Sequence, residues 1–135
     1  MALNKIYAYT QEKTRERQVP ANTQSGTPLV INTRPCVTIT ARGDATRSNT
    51  VTGITVSGPV GGAGNLPDSA TVAFDGTWEF AVTGATTSTG QDVAVYLTTG
   101  GTLTLTVGTN TLYGYTDYPR GYTKVAGRAP VRIGV

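Results

Sequence analysis

The chain alternates apolar and polar residues in short runs that are separated by Gly, Pro, Asn and Asp. Alternation with period two is typical of a strand with one buried face, and Gly or Pro between such runs marks turns. The runs are 3–9, 29–31, 37–40, 51–56, 71–74, 77–82, 92–97, 102–107, 112–115 and 130–135. No segment has the apolar stripe of a long helix. The pattern predicts an all-β fold, a small β-barrel or β-sandwich of short antiparallel strands.

Turn chemistry predicts two hairpins. Asp75-Gly76 tolerates positive φ at both central positions of a tight turn, so the runs on either side of it are expected to pair. The segment 98–101, Thr-Thr-Gly-Gly, is expected to join 92–97 to 102–107, a strand with one buried face. The expected aromatic and aliphatic core is Phe74, Trp78, Phe80 and Val82.

Two segments lack a strand pattern. The polar run 10–18 has no apolar stripe with which to dock, so we predict an N-terminal arm over 1–22 and a β-domain over 23–135. The segment 58–65 is too rich in glycine for a strand, which predicts a flexible loop. No Lys-Ser/Thr or helix follows it, so a phosphate-binding loop is excluded.

Composition supports this picture and narrows the chemistry. The 135 residues fit one domain, and their 26 threonines and 17 glycines suit pleated strands and tight turns. There is no histidine, which excludes Ser-His and Cys-His nucleophile pairs and imidazole zinc sites. Cys36 is the only cysteine, so an internal disulfide is excluded. We expect its thiol to be buried, and the alternative is a reactive thiol whose pKa is lowered by Arg34.

Paired carboxylates are the remaining route to catalysis. Asp75 and Glu79 flank the first predicted hairpin, and a glycosidase needs two carboxyl groups about 5 to 9.5 Å apart. The predicted turn accounts for Asp75, and the solvent face of a strand accounts for Glu79. We therefore expect no enzymatic activity, no metal and no cofactor.

Charge is segregated along the chain. Residues 1–50 carry a net charge of +4, residues 51–117 carry −5, and residues 118–135 carry +4. This distribution is compatible with contacts between copies or with a partner, and equally with solvated charges placed by chance. The run 118–124 interleaves Tyr with Arg and Lys, as a single-strand nucleic-acid surface would, but Pro and Gly interrupt it. We expect a packing or subunit-contact loop there, and no nucleic-acid partner.

No apolar run approaches the roughly 20 residues that span a bilayer, and no signal-peptide core is present at the N-terminus. We therefore expect synthesis in a cytoplasm and no membrane partner. Tyrosine is enriched where surfaces meet, so Tyr113 and Tyr115 are further candidates, with core packing as the alternative. The predicted contact residues are Leu3, Ile6, Tyr7, Tyr9, Arg15, Arg17, Tyr118, Arg120 and Tyr122.

The order of the motifs resembles a family of small tailed-phage proteins encoded beside the major capsid protein, the capsid decoration or cement proteins. The motifs are Ser-Gly-Thr-Pro-Leu-Val-Ile at 25–31, Thr-Val-Ala-Phe-Asp-Gly-Thr-Trp-Glu-Phe at 71–80, Gly-Gln-Asp-Val-Ala-Val-Tyr-Leu at 90–97, Leu-Tyr-Gly-Tyr at 112–115 and Val-Arg-Ile at 131–133. The chain departs from this pattern in its charged N-terminal segment and in the insert 49–65.

This resemblance implies a non-catalytic protein that binds the major capsid protein on the virion exterior, commonly as a homo-trimer or another homo-oligomer. The alternative is a carbohydrate-binding or adhesive β-module of a phage tail, a fibre or a cell surface. Copy number per particle distinguishes the two.

Overall fold

A computed structural model of the chain describes residues 5–7, 14–51, 53–60, 66 and 68–134, and for 5–7, 44–51 and 55–60 it describes the backbone alone. Within these residues the protein forms twelve β-strands and no helix, which confirms the all-β prediction. In chain order they are β1 Lys5–Tyr7, β2 Thr14–Gln18, β3 Pro28–Ile31, β4 Arg34–Thr38, β5 Asp44–Val51, β6 Ile54–Val60, β7 Ser69–Ala73, β8 Gly76–Thr83, β9 Ala94–Leu97, β10 Leu103–Thr104, β11 Thr111–Thr116 and β12 Arg128–Ile133.

Five strands close into a barrel in the order β8-β10-β9-β11-β12, and pairing of β12 with β8 completes the ring. All neighbours are antiparallel except β10 and β8, which run parallel where Leu103 faces Val82. Strand β1 adds to β8 beyond the short β10. Closure pairs the strand edges that an open sheet would leave exposed.

A four-stranded antiparallel sheet in the order β2-β7-β4-β3 packs beside the barrel. Its edge strand β2 corrects the prediction of an N-terminal arm, because residues 14–18 pair with β7 along their whole length and Val19 behind them is buried. The physical reason is that β2 is an edge strand, where a charged sequence protects the open side against aggregation. Of residues 1–13, the structure describes only β1.

Strands β5 and β6 form a two-stranded antiparallel ribbon, with Gly53 at positive φ in its turn. The predicted flexible loop 58–65 is therefore wrong at its start, since 58–60 belong to β6. Ladder hydrogen bonds hold a strand even where glycine supplies no side chain. Residues 61–65 lie outside the described part of the chain.

The hairpin predicted at Asp75-Gly76 is wrong. Strand β7 belongs to the four-stranded sheet and β8 to the barrel, so this dipeptide carries the chain from one sheet to the other. Gly76 does take a positive φ of 100°, and the Trp78 indole Nε1 donates to the Asp75 carbonyl oxygen at 2.9 Å. Of the two turn positions predicted to take a positive φ, Gly76 does and Asp75 does not, and β8 pairs with β12, β10 and β1 instead of β7.

The second predicted hairpin is confirmed. Strands β9 and β10 pair through the turn 98–101, in which the Gly101 amide donates to the Thr98 carbonyl at 3.0 Å. The predicted strand 102–107 is too long, because β10 ends at Thr104 and Val107 is 59% exposed. The backbone of Leu105 instead donates to Thr83 at 3.2 Å, after which the chain leaves the sheet.

Two apolar clusters form the core. The larger fills the barrel and its junction with the four-stranded sheet, and it contains Trp78, Phe80 and Val82 as predicted. Phe74 is also buried, but in the second cluster, on the other face of the four-stranded sheet. Because strand residues alternate between faces, Cys36 enters the second cluster while its neighbour Val37 enters the first.

The turn between β3 and β4 carries backbone strain that a substitution should release. Its two residues, Asn32 and Thr33, have φ of 49° and 72°. Positive φ is costly for a β-branched residue, and a two-residue turn of this kind favours Asn-Gly. We expect Thr33→Gly to raise the free energy of unfolding by about 1 kcal/mol in urea titrations. The control is Thr99→Gly, at an exposed turn position without positive φ, which should lower the free energy of unfolding or leave it unchanged. If Thr33→Gly lowers the free energy of unfolding as much as Thr99→Gly does, the turn is not strained.

Candidate functional site

A β-bulge in β11 places two large apolar side chains on the same outer face of the barrel. Leu112 faces Tyr96 on β9, but Gly114, two residues later, faces Val95, only one residue further. Regular alternation would put residues 112 and 115 on opposite faces, and the extra residue brings them together. Leu112 is 45% exposed and Tyr115 36% exposed.

Tyr113, which lies between Leu112 and Tyr115 in the chain, anchors the bulge to both sheets. The Tyr113 hydroxyl donates a hydrogen bond to the Cys36 carbonyl oxygen of β4 at 2.7 Å. Its ring packs edge-on against Phe80, with centroids 5.7 Å apart and planes at 82°. Burial, and then the neighbouring Cys36 thiol, raise the pKa of the Tyr113 hydroxyl well above its usual value. The hydroxyl is thus a fixed structural donor.

Leu112 and Tyr115 border a cleft of about 560 Å³ between β11 and the turn that joins β3 to β4. We call it the β11 cleft. Its other lining residues are Thr33, Arg34, Pro35, Phe74, Tyr113, Gly114 and Gly134. Of its two glycines, Gly134 is exposed, whereas Gly114 is buried and packed against β12.

Arg34 is among the lining residues and gives the β11 cleft a positive charge, and Arg17 contacts the same aromatic ring from outside that lining. The Arg34 guanidinium carbon lies 4.1 Å from the centroid of the Phe74 ring, and that of Arg17 lies 5.6 Å from it. Both distances fit cation–π contacts. Arg17 was predicted as a contact residue from its charge, whereas the sequence indicated Arg34 only as a neighbour of Cys36.

A second cleft, of about 540 Å³, lies between the segment 25–28 and the barrel. Its charged groups are Glu79 and Arg128, which form an ion pair of 2.9 Å across β8 and β12. Phe80 is its aromatic residue, but that ring is buried and offers no exposed face on which a sugar could stack. The β11 cleft is therefore the stronger candidate for binding.

The loop 118–124 was predicted to serve packing or a subunit contact, and its tyrosines pack within the fold, which corrects their prediction as contact residues. Tyr118 is 8% exposed and belongs to the barrel core, and Tyr122 is half-buried beside it with ring centroids 5.6 Å apart. The Lys124 ammonium lies 4.5 Å from the Tyr118 centroid and donates to the Thr89 carbonyl at 2.6 Å. The two rings and the ammonium therefore contact groups of the same chain. Pro119 and Gly121 lie in the turn that allows this, in which the Tyr122 amide donates to the Pro119 carbonyl at 2.9 Å.

The other predicted contact residues are distributed as follows. Arg15 and Arg120 are exposed, and Arg17 is half-buried against Phe74. Ile6 and Tyr7 lie in β1, where the structure describes the backbone alone. Leu3 and Tyr9 lie outside the described residues. Of the members whose side chains the structure describes, Tyr118 and Tyr122 contact each other, and Arg15 and Arg17 lie in β2 of the four-stranded sheet.

Part of the segregated charge is paired within one copy. Arg42 of the first basic segment contacts Asp68 at 2.6 Å, and Arg128 of the last contacts Glu79. Each pair joins a basic residue of one of the two basic segments to an acidic residue of the segment 51–117. These four charges are thus satisfied without a second copy.

Cys36 is fully buried, in agreement with the expectation of a structural thiol. Burial raises its pKa to about 12, although Arg34 and Arg17 oppose the shift. The alternative of a thiol activated by Arg34 is therefore not supported, because desolvation outweighs the guanidinium charges.

We expect thiol reagents to reach Cys36 only when the fold opens. At pH 8 the native protein should react with an aromatic disulfide reagent on the order of a thousandfold more slowly than in denaturing urea. The control is Val107→Cys, an exposed position that should react rapidly in the native state. Equal rates at the two cysteines would contradict the burial of Cys36.

Among the described residues, no group of three or more Cys, Asp and Glu side chains is placed to hold a metal ion. The same residues include no helix of the length and apolar character needed to cross a membrane. Comparison of the chain with protein-family models, with curated proteins and with solved structures found no match.

Sequence reasoning had identified Tyr115 as one candidate among several but missed the β11 cleft. The available signal was Gly114, because an isolated glycine inside a strand pattern often marks a bulge or a close backbone approach. Arg34 gave no such signal, since its position over Phe74 depends on pairing between residues far apart in the chain.

Proposed function

We propose that this chain is a non-enzymatic structural virion protein that binds the outer surface of a tailed-phage capsid and stabilises the shell. The order of strand motifs described above supports this proposal from the sequence. The structural observation that carries it is the β11 cleft, an exposed apolar and cationic surface on a closed barrel. Such a surface suits binding to another protein.

The chemistry of the remaining reactive groups is consistent with binding as the main activity. The Cys36 thiol is buried and protonated, and Glu79 is paired with Arg128. A rigid barrel also loses little conformational entropy when it binds, which favours affinity from a small contact area. Repetition over a lattice, or through a trimer, would multiply modest single contacts.

The test is the copy number and the effect of the protein on particles of the phage that encodes it. We expect purified particles to carry the protein at a simple ratio to the major capsid protein. Particles made without it should accept the purified protein from solution and then withstand higher temperature before releasing DNA. A ratio of a few copies per particle, or specific binding to glycans with no binding to shells, would instead support the tail, fibre or adhesive module.

A further inference from the structure

We propose that the β11 cleft is the docking site for an acidic segment of a partner protein, in which an apolar side chain is followed by Asp or Glu. The apolar side chain would lie between Leu112 and Tyr115, and the carboxylate would bind Arg34. The identification of this partner as a capsid subunit rests on the proposed function; the chemistry of the cleft does not.

The apolar half of this assignment comes from the β11 bulge. Without the bulge, one of residues 112 and 115 would point to the barrel interior. The bulge instead leaves both Leu112 and Tyr115 exposed, and both line the cleft, while Tyr113 is fixed by the hydrogen bond to Cys36. Bulges often re-aim side chains at functional sites. Tyrosine is also among the residues that most often dominate protein–protein affinity.

The charged half comes from the way Arg34 is held. Its guanidinium carbon lies 4.1 Å from the centroid of the Phe74 ring, and Arg34 is exposed. A guanidinium that is held against a ring and is open to solvent can make a bidentate contact with a carboxylate. Arg34 forms no ion pair with any residue that the structure describes.

The geometry also favours one orientation of the segment. Arg34 is the charged residue among those that line the cleft. The partner's negative group is therefore expected at Arg34, and its apolar side chain at Leu112 and Tyr115. A nucleic acid fits less well, because its phosphates recur along the whole strand and the cleft has one exposed aromatic ring, Tyr115.

A titration followed by NMR tests the cleft on the free protein. The probes are the blocked peptides acetyl-Gly-Phe-Glu-Gly-amide and acetyl-Gly-Phe-Gln-Gly-amide, and a thymidine oligonucleotide. We expect the Glu peptide to shift the Leu112 methyl and Arg34 Nε–H signals with a dissociation constant on the order of 1 mM, and the Gln peptide to bind at least about threefold more weakly.

Variants separate the two halves of the site. Arg34→Gln should remove the preference for Glu over Gln, and Leu112→Ser should weaken both peptides. The matched controls, Arg120→Gln and Val107→Ser, change exposed residues that do not line the cleft and should bind like the parent. Circular dichroism and melting curves should be the same for all four variants. The proposal would be overturned if neither peptide shifted the Leu112 methyl signal. It would also be overturned if the oligonucleotide caused the same shifts at a lower concentration than the Glu peptide.

Shell binding then distinguishes a failure of this proposal from a failure of the proposed function. If the parent binds shells, Leu112→Ser and Tyr115→Ser should each lower affinity about tenfold, and Val107→Ser should not. Parent-like binding by both cleft variants would overturn the cleft as the docking site while leaving the decoration function intact. If the parent does not bind shells, the proposed decoration function is wrong. The peptide titration then decides on its own whether the cleft binds an acidic segment.

Discussion

Replacement of Gly114 by alanine is expected to lower the free energy of unfolding by about 3 kcal/mol, at the upper end of the cost of overpacking. A Cβ at this position would overlap the Arg132 carbonyl oxygen of β12 and lie 2.9 Å from Val131 Cγ1. The carbonyl is part of the barrel backbone and cannot rotate away as a side chain would. Relief therefore requires β11 and β12 to separate where Tyr115 faces Arg132.

The control for this substitution is Gly90→Ala. Gly90 has no atom within 4 Å of a built Cβ and no positive φ, so alanine should be tolerated there or stabilise slightly. Urea titrations of both variants, with the same slope as the parent, measure the difference. Equal stability of the two variants would show that β11 and β12 are not packed as closely as described.

The strands after residue 70 could be predicted from sequence because their alternation reports a local property. Burial of one face forces apolar residues to recur at every second position, and Trp78, Phe80 and Val82 follow that rule. The turn at 98–101 was equally predictable, since Gly101 must take a positive φ. These features depend on neighbours in the chain and on burial alone.

Strand partners could not be predicted in the same way. Asp75-Gly76 has the residues of a hairpin turn, yet only Gly76 takes a positive φ, and the dipeptide joins two different sheets. The choice depends on β12, which begins about fifty residues later and pairs with β8 over six positions. Such long-range pairing is set by packing of the whole core, and local turn chemistry does not report it.

Edge strands were missed for a different reason. Periodicity detects a buried face, but β2 has a charged, largely exposed sequence and is held by backbone hydrogen bonds to β7. The polar sequence that predicted an arm is the composition that protects a sheet edge. The candidate site was missed similarly, because a bulge breaks the alternation from which the positions of Leu112 and Tyr115 would be deduced.

Removal of the Tyr113 hydroxyl, by Tyr113→Phe, is expected to destabilise the protein by about 1.5 kcal/mol. The hydroxyl donates to the Cys36 carbonyl across the junction of the barrel and the four-stranded sheet, and phenylalanine would keep the ring contact with Phe80 while losing this bond. The matched control is Tyr115→Phe, two residues away on the same strand, whose ring is exposed and should change stability by less than about 0.5 kcal/mol. Urea titration measures both, and NMR of the Tyr113→Phe variant should show shifted Cys36 and Val37 amides. If Tyr113→Phe is as stable as Tyr115→Phe, the hydrogen bond does not join the two sheets, and the floor of the β11 cleft is less firmly held than the structure indicates.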